Sequence, residues 1–367
     1  MKAIVFPGKY YQGPGAIGLV ADYAEKLGAT KPMIVWGRKA KYATVDKVTA
    51  GFEAKGMPFE EHLFITDCTH ATSEAIIAEV KEKGCDLVIG IGGGKALDMA
   101  KSVAIACGLK MISAPTIASN DAPTSACTVW YDDDHVCVGF DMWPYNPDIV
   151  LADTEVMAAA PIHMFKAGIG DALATNIEAM ASCRADNPTC AWGTPTETVK
   201  AMAQLCFDLI MDNAEDAIIS AEAGVTTAAF EKVVEANVLL SGVGWESGGL
   251  CTAHVLGNGL PEFPETHEYM HGDKVSFGIV TELMLDPNIT TDEKYDIVSF
   301  LVRVGLPVCF EDLNMQDVSK ERIMAWCDVH TQGSFTANHA FVVTKEDLYN
   351  AMIAADAYGR RMKEELA

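Results

Sequence analysis

The fold of this chain is decided by residues 86–101, DLVIGIGGGKALDMAK. The apolar residues Val88, Ile89 and Ile91 are typical of a buried parallel strand, and the pattern after the glycines is typical of a helix. Consecutive glycines let a backbone approach a ligand closely, and a helix N-terminus directs N–H groups at an anion. The stretch therefore predicts a strand, a turn and a helix that hold the pyrophosphate of a dinucleotide.

The spacing of these glycines matches neither G-x-G-x-x-G nor G-x-x-x-x-G-K-[ST], the two standard phosphate fingerprints. Close packing of a helix on a strand also selects glycine. An ordinary strand-to-helix turn is therefore a second interpretation of the same residues, and the stretch alone leaves both open.

Composition excludes several classes of partner. The chain has 367 residues and a formal net charge of -24, which opposes binding to nucleic acid or to an anionic membrane surface. No apolar run reaches the roughly 20 residues of a transmembrane helix, and the amino terminus has too short an apolar run for a secretory signal. The 11 cysteines lie at irregular spacing without a C-x-x-C pair. We expect a cytoplasmic protein with reduced thiols, no nucleic-acid partner and no membrane.

Up to about residue 160, short β-rich runs alternate with helical segments, which predicts a parallel sheet with crossover helices. The predicted strands are Met33–Trp36, His62–Ile65, Leu87–Ile91, Met111–Ala114 and Ile149–Leu151, with a hairpin over Thr128–Phe140 that turns at Asp132-Asp133-Asp134. After Pro161, Ala-, Met- and Leu-rich segments with helical spacing dominate, such as 196–213, 214–223 and 227–240. We predict an α/β nucleotide-binding domain over 1–160 and an all-helical domain over 161–367.

Three residues of the helical half form a candidate cation site: Asp171, His254 and His271. Two imidazoles and a carboxylate are a competent set that leaves a coordination position open for substrate or water. The two histidines are too far apart in sequence to share one helix face. His267 and His271 stand at i and i+4, so His267 could replace His254 on one helix face. Spacing alone leaves both ligand sets open.

Several motifs occur in a characteristic order, and together they carry a family resemblance. They are residues 86–101, PTIASNDAPTS at 115–125, GIGDALAT at 168–175, SGVGWESGGL at 241–250 and His267 through Gly278. In these motifs the chain resembles the glycerol dehydrogenase branch of the iron-containing (group III) alcohol dehydrogenase family, and the resemblance runs to the carboxyl-terminal Tyr358-Gly359-Arg360. It implies the two-domain architecture shared with dehydroquinate synthase, with an α/β domain followed by an all-α domain.

The resemblance also implies site residues and cofactors. Asp171, His254 and His271 match the ligands of one divalent metal per subunit, usually zinc in this branch, with iron as the alternative. Asp121 matches a residue that hydrogen-bonds a substrate hydroxyl, and His254 and His267 are candidate catalytic residues. The positions that match contacts to NAD are Gly37, Gly93, Gly94, Lys95, Asp98, Thr116, Ser119, Ser125, Cys127 and Tyr131. The implied activity is the reversible oxidation of glycerol or a related vicinal diol to the hydroxyketone by a homo-oligomer, commonly an octamer.

The departures from the family pattern bear on specificity. Gly37 stands where the family usually has an aspartate for the adenosine ribose, and Arg38 and Lys39 follow it. This loss of a carboxylate beside two cations predicts that NADP is accepted as well as NAD, unless Arg38 and Lys39 are only solvated loop charges. Further departures are Asn120, Cys127, Trp245 and Gly257, the last in place of a histidine close to the metal. A dehydrogenase of another small diol or hydroxyaldehyde with a preference for NADP is therefore an alternative, and a glycerol-1-phosphate dehydrogenase-like enzyme is a more distant one.

Overall fold

The computed structural model describes residues 1–132, 137–333 and 335–367. The described part of the chain contains two compact units, neither of them continuous in sequence. The α/β unit comprises Phe6–Phe165 and Ile219–Gly242, and the helical unit comprises Met1–Val5, Lys166–Ile218 and Val243–Ala367. The sequence predicts two domains that are each continuous and that divide at residue 160, and this domain assignment stays a prediction.

The strands of the described chain are β1 (Lys2–Ala3), β2 (Tyr10–Gly13), β3 (Pro32–Gly37), β4 (Glu60–Phe64), β5 (Leu87–Gly92), β6 (Lys110–Pro115), β7 (Cys127–Tyr131), β8 (Cys137–Met142), β9 (Ile149–Asp153) and β10 (Thr194–Pro195). A six-stranded sheet has the order β2-β9-β6-β5-β3-β4, and each neighbouring pair in it is parallel. The five predicted strands are confirmed as β3, β4, β5, β6 and β9. Strands β3, β5, β6 and β9 were recognisable because strands covered on both faces read as nearly continuous apolar runs.

Alternate residues of the central strands enter two different cores. On β3, Ile34 and Trp36 belong to one apolar cluster, whereas Met33 and Val35 belong to the other. This alternation is the period of a β-strand, and it shows that helices cover both faces of the sheet. The predicted hairpin is confirmed as the antiparallel pair β7 and β8. Most of its predicted turn, including Asp133 and Asp134, lies outside the described residues.

The helices are α1 (Val20–Lys26), α2 (Arg38–Lys55), α3 (His70–Lys83), α4 (Gly94–Cys107), α5 (Thr154–Ala158), α6 (Ile162–Ala185), α7 (Glu197–Glu222), α8 (Ala228–Glu235), α9 (Ser241–Gly248), α10 (Thr252–Gly259), α11 (His271–Leu285), α12 (Thr291–Val304), α13 (Lys320–His330) and α14 (Lys345–Leu366). In the helical unit α11 packs against both α10 and α14, and it is buried along most of its length. The predicted fold class, an α/β region followed by a helical region, is confirmed; within the helical unit the short strands β1 and β10 pair in parallel.

Two helical segments differ from the prediction. The segments predicted at 196–213 and 214–223 form one continuous helix, α7, and Asn213 at the predicted division donates its side-chain amide to the Leu209 carbonyl within that helix. The segment predicted as a helix over 227–240 begins as α8 and continues as a π-helix over 236–240. The eleven cysteines are thiols, as predicted. Among the described residues, the helices are all too short or too polar to cross a bilayer.

Candidate metal and cofactor sites

Three predicted metal ligands converge within the helical unit. Asp171 lies in the middle of α6, His254 lies in α10, and His271 is the first residue of α11. Nε2 of His254 lies 3.3 Å and Nε2 of His271 lies 3.4 Å from Oδ1 of Asp171. One ligand atom from each residue lies within 4.8 Å of the other two, so a single cation could contact all three.

The approach of α6 to α11 brings Asp171 and His271 together. A Cβ atom at Gly272 would lie 1.8 Å from the carbonyl oxygen of Ala167, and one at Gly170 would lie 2.6 Å from the carbonyl oxygen of Gly272. Neither distance is compatible with a side chain. The two glycines therefore let the backbones of α6 and α11 meet immediately beside the two ligands.

Glu178 orients His254 and was not found from the sequence. It is fully buried on α6. Nδ1 of His254 lies 2.5 Å from Oε2 of Glu178, and the backbone N–H of His254 donates to Oε1 at 2.9 Å. With Nδ1–H donating to this carboxylate, Nε2 keeps its lone pair and faces Asp171. The available sequence signal was a glutamate seven residues after Asp171, on the same helix face within an apolar pattern.

The two imidazoles have opposite pKa shifts. Burial opposes the charge of His254, but the carboxylates of Glu178 and Asp171 outweigh burial, so the pKa of His254 is well above its usual value. Burial lowers the pKa of His271, and Asp171 offsets that effect only in part. A cation bound among the three residues would need both imidazoles neutral. Glu178 is the carboxylate partner of His254, the imidazole whose raised pKa favours the protonated form.

The donor set fits a divalent metal. It provides one carboxylate oxygen and two imidazole nitrogens, which suit zinc and ferrous iron alike, and one ring is held by a hydrogen bond to a carboxylate. The side chain of His271 is 34% exposed, whereas those of Asp171 and His254 are almost completely buried. The site therefore has a solvent-facing side at His271, where a fourth ligand could enter.

His267 does not join this group. Helix α11 begins at His271, so the helical premise that placed His267 and His271 on one face is wrong. The exposed ring of His267 donates its Nε2–H to the carbonyl oxygen of Pro261 at 2.9 Å. Its role as a catalytic residue stays a prediction.

The predicted cofactor loop lies at the carboxyl ends of β5 and β3 in the α/β unit. Strand β5 runs to Gly92, and α4 begins at Gly94 with Gly93 as its N-terminal cap. A Cβ at Gly92 would lie 2.8 Å from Cβ of Ala96, so helix packing accounts for that glycine. At Gly94 a Cβ would lie 2.7 Å from the side-chain amide of Asn120. In the sheet, β3 has β4 on one side and β5 on the other, so the chain changes direction across the sheet between β4 and β5. The crevice between β3 and β5 is therefore a topological switch point, the place where nucleotides bind in open α/β sheets.

Lys95 and Tyr131 meet at this loop. The Nζ atom of Lys95 lies 4.2 Å above the ring of Tyr131 and forms an ion pair with Asp67. Thr116 donates its backbone N–H to Gly92, and both Thr116 and Ser119 are buried after β6. The structure thus brings the predicted residues of these two turns to one end of the sheet.

Asp98, Ser125 and Cys127 have structural partners. Asp98 is buried, forms a 2.8 Å ion pair with Lys101, and accepts the backbone N–H of Val129 at 3.0 Å. Lys101 also donates to Ser125 Oγ at 3.4 Å, and Cys127 is buried in β7. The hydrogen bond from Val129 to Asp98 connects α4 to β7, and the cofactor role of Asp98, Ser125 and Cys127 stays a prediction.

Gly37 lies beside the glycine loop, as expected for a residue near the adenosine. It ends β3 and caps α2, and Arg38 and Lys39 after it are exposed. A Cβ at Gly37 would lie 3.5 Å from Cα of Gly92, which is an ordinary contact distance. A side chain could therefore be accommodated at position 37.

Asp121 lies in a loop that is hydrogen-bonded to the π-helix 236–240. Asn237 donates its side-chain amide to the carbonyl oxygen of Ala118 at 3.1 Å, and Thr124 donates Oγ1–H to Val238 at 3.0 Å. Ser241 donates to Oδ2 of Asp121 at 3.4 Å. A π-helical turn displaces backbone carbonyls from their usual partners, which is one reason such turns occur at functional sites.

The chain is similar to known proteins over nearly its whole length. The model of the iron-containing alcohol dehydrogenase family matches residues 7–154. The chain is 38% identical to glycerol dehydrogenase of Escherichia coli O6:H1 over 366 residues, covering 99% of each chain. It is 34% identical to glycolaldehyde reductase of Halobacterium salinarum, covering 98% of each. The crystal structure of glycerol dehydrogenase from Schizosaccharomyces pombe superposes with a TM-score of 0.95 at 30% identity, covering 100% of this chain and 93% of that one.

Proposed function

Because this chain belongs to the iron-containing alcohol dehydrogenase family, we propose that it is a metal- and nicotinamide-dependent glycerol dehydrogenase. It would oxidise glycerol or a related vicinal diol reversibly to the hydroxyketone. The observation that carries the proposal is the convergence of Asp171, His254 and His271, with Glu178 bonded to the far side of the His254 ring. Relatives at 36–38% identity over nearly the whole chain are glycerol dehydrogenases.

The reaction removes a hydride from carbon and a proton from the hydroxyl oxygen. When bound, a divalent cation supplies Lewis acidity to the substrate oxygen, and a nicotinamide supplies the hydride acceptor. Asp171, His254 and His271 would hold the cation, and Glu178 keeps the Nε2 lone pair of His254 directed at it. The proton must reach solvent, and we assign His267 to receive it at Nδ1, since its Nε2–H is engaged by Pro261.

Asp121 supports a diol rather than a simple alcohol as substrate. A carboxylate that accepts from a second hydroxyl discriminates against a substrate without that group, because the buried acceptor is then left unpaired. Ser241 would hold this carboxylate in position through its hydrogen bond to Oδ2. A hydroxyaldehyde offers the same second hydroxyl, so reduction of glycolaldehyde is the second candidate, favoured by the similarity to glycolaldehyde reductase.

A phosphorylated substrate is disfavoured by the state of a nearby lysine. Lys274, one turn into α11 after His271, donates to the carbonyl oxygen of Tyr269 at 2.5 Å. Burial lowers its pKa to about 8. A lysine whose ammonium group already donates to a backbone carbonyl, and whose charge is disfavoured by burial, is a weak anchor for a substrate phosphate.

The test of the proposed activity is a steady-state scan of the zinc-loaded and iron-loaded enzyme with glycerol, 1,2-propanediol, ethylene glycol, 1-propanol and, in reverse, glycolaldehyde. We expect the highest kcat/KM for a vicinal diol. D171N should lower metal affinity and kcat/KM by at least about 100-fold. D212N alters an exposed aspartate of α7 and serves as the matched control. Turnover by metal-free enzyme, or by D171N at the wild-type rate, would contradict the proposal.

NADP as a second cofactor rests on Gly37 with Arg38 and Lys39. G37D restores an acceptor for the ribose hydroxyls and a repulsion against a 2′-phosphate, and the space beside Gly92 admits it. We expect the ratio of kcat/KM for NADP to that for NAD to fall about 10- to 100-fold in G37D. A wild-type preference for NAD above roughly a thousandfold, about 4 kcal/mol, would instead mean that the two cations are solvated loop charges.

Zinc as the resident metal, an octameric assembly and a cytoplasmic location are further proposals that come from the family. Metal analysis of protein purified without added metal tests the first, because a site of one carboxylate and two imidazoles takes zinc or iron according to supply. Light scattering after size exclusion tests the second. A monomer by that measurement would overturn the octamer without affecting the proposed chemistry.

A further inference from the structure

A second group of potential metal ligands lies in the helical unit, apart from the first. It consists of Cys251, Glu282 and His339, whose ligand atoms all lie within 4.8 Å of one another. Their relative exposures are 0%, 0% and 5%. Buried polar groups nearly always have hydrogen-bond partners, so any unused polar atom in this group requires an explanation.

The three residues come from separate segments. Cys251 immediately precedes α10, and Glu282 lies near the end of α11. His339 follows a short 3₁₀ turn over Thr336–Asn338. The group therefore joins the two helices that carry His254 and His271 to the segment before α14.

Two of these side chains have unused hydrogen-bonding atoms. Glu282 accepts the backbone N–H of Ala253 at Oε2, but its Oε1 has no partner among the described residues. His339 bonds Thr252 Oγ1 through Nε2 at 2.8 Å, and its Nδ1 has no partner there either. A buried polar atom without a partner is destabilising, so an ion or a water molecule is expected between Oε1 of Glu282 and Nδ1 of His339.

We propose that Cys251, Glu282 and His339 bind a second divalent cation, zinc or a metal of similar softness. Zinc accepts sulfur, nitrogen and oxygen ligands in one site. A thiolate and a carboxylate together neutralise the two charges of the cation, so the loaded group would be neutral in its buried surroundings. Oε2 of Glu282 is already engaged by Ala253, which leaves a water molecule as the fourth ligand.

Protons balance the binding step. Burial raises the pKa of Cys251 and of Glu282 well above their usual values and lowers that of His339. A divalent cation binds a thiolate and a carboxylate, so its binding displaces the protons that these two groups carry, and affinity should rise with pH. A groove of about 420 Å³ has His339 in its wall.

The consequence of this second site is structural. A cation there would fix the start of α10 to the last turns of α11, and so stabilise the pair of helices that present His254 and His271. The inference is independent of the proposed dehydrogenase activity, because it concerns neither the substrate nor the first metal group.

Cobalt is the probe that separates the two sites. A thiolate ligand gives Co²⁺ a near-ultraviolet charge-transfer absorption, whereas the Asp171 group contains no sulfur. The full chain is stripped with a chelator, loaded with Co²⁺ and desalted, and its cobalt content and spectrum are recorded. We expect two cobalt ions per chain with the thiolate band. D171N should lose one ion and keep the band, while C251S should lose one ion and the band.

Controls keep the result interpretable. C327S removes another buried cysteine of the helical unit and should retain both the band and the second ion. E282Q and H339N leave the thiol in place and should weaken the band. These two variants test the proposal even if C251S does not fold. One cobalt ion per wild-type chain without the band, or a band that persists in C251S, would overturn the proposal and leave a buried water as the occupant.

Discussion

The most direct test of the metal geometry is the substitution of Glu178 by glutamine. The carboxylate meets three donors: the backbone N–H of Cys251 at 2.8 Å and of His254 at 2.9 Å, both on Oε1, and Nδ1 of His254 on Oε2. Glutamine keeps the volume but has only one acceptor oxygen. Whichever way the amide turns, its NH₂ group faces a donor. E178Q should therefore disturb the orientation of His254 while leaving the core filled.

The size of the effect follows from the hydrogen bonds that are lost. Hydrogen bonds to a charged group contribute about 1.5–3 kcal/mol each, and loss of an outer partner of a metal-bound histidine lowers metal affinity about 10- to 100-fold. That range corresponds to about 1.4–2.7 kcal/mol, so the two estimates agree. The cause is the orientation of the ring: without Nδ1–H donation to a carboxylate, Nε2 of His254 no longer reliably offers its lone pair.

The assay is competition between the protein and a zinc-binding dye, which gives the dissociation constant directly. E222Q changes an exposed glutamate of α7 and should bind zinc as the wild type does. With saturating zinc, part of the activity of E178Q should return. A dissociation constant for E178Q within twofold of the wild type would refute the reasoning, because the carboxylate would then have no part in holding the ring.

Three further predictions concern single contacts. D121A should lower the preference for glycerol over 1-propanol about 10- to 100-fold in kcat/KM, and an unchanged preference would remove Asp121 from substrate recognition. A Cβ at Gly257 would lie 2.5 Å from Val275 and 3.0 Å from His271 Cε1, so G257A should cost about 1–3 kcal/mol in thermal unfolding and weaken zinc binding; an unchanged Tm would mean that these neighbours move aside. K101M strands Asp98 in the core and should cost about 3–5 kcal/mol in urea unfolding. Burial raises the pKa of Asp98, so the stranded carboxyl takes a proton more readily at pH 5 than at pH 8, and the loss should be smaller at pH 5. Equal losses at both pH values would contradict that origin.

The sheet was predictable because its inner strands carry the signal in local sequence. Each residue of β5 is buried, and strands of this kind are short apolar runs that end in glycine. Strand β2 was missed for the opposite reason. Its four residues, Tyr10–Gly13, are all half-buried at the edge of the sheet and show neither an apolar run nor an alternation.

The sites were predictable only in part. The candidate ligands Asp171, His254 and His271 came from residue type and from family resemblance, and their convergence depends on helix crossings that no local pattern encodes. The i and i+4 spacing of His267 and His271 misled because α11 begins at His271. Glu178 escaped notice because a glutamate within a helix is usually solvated, and burial is a property of the packed helix rather than of the sequence.

Glu178 also links the two groups of metal ligands. Its carboxylate accepts the backbone N–H of Cys251 as well as that of His254, so the start of α10 is held at both positions by one side chain of α6. D171N and C251S should each empty one cation site and spare the other. E178Q instead changes the carboxylate that accepts hydrogen bonds from both Cys251 and His254. It should therefore weaken both the thiolate band of cobalt and the metal affinity of the first site. A loss confined to the first site would mean that Glu178 orients the His254 ring alone and that the position of Cys251 is fixed by other contacts.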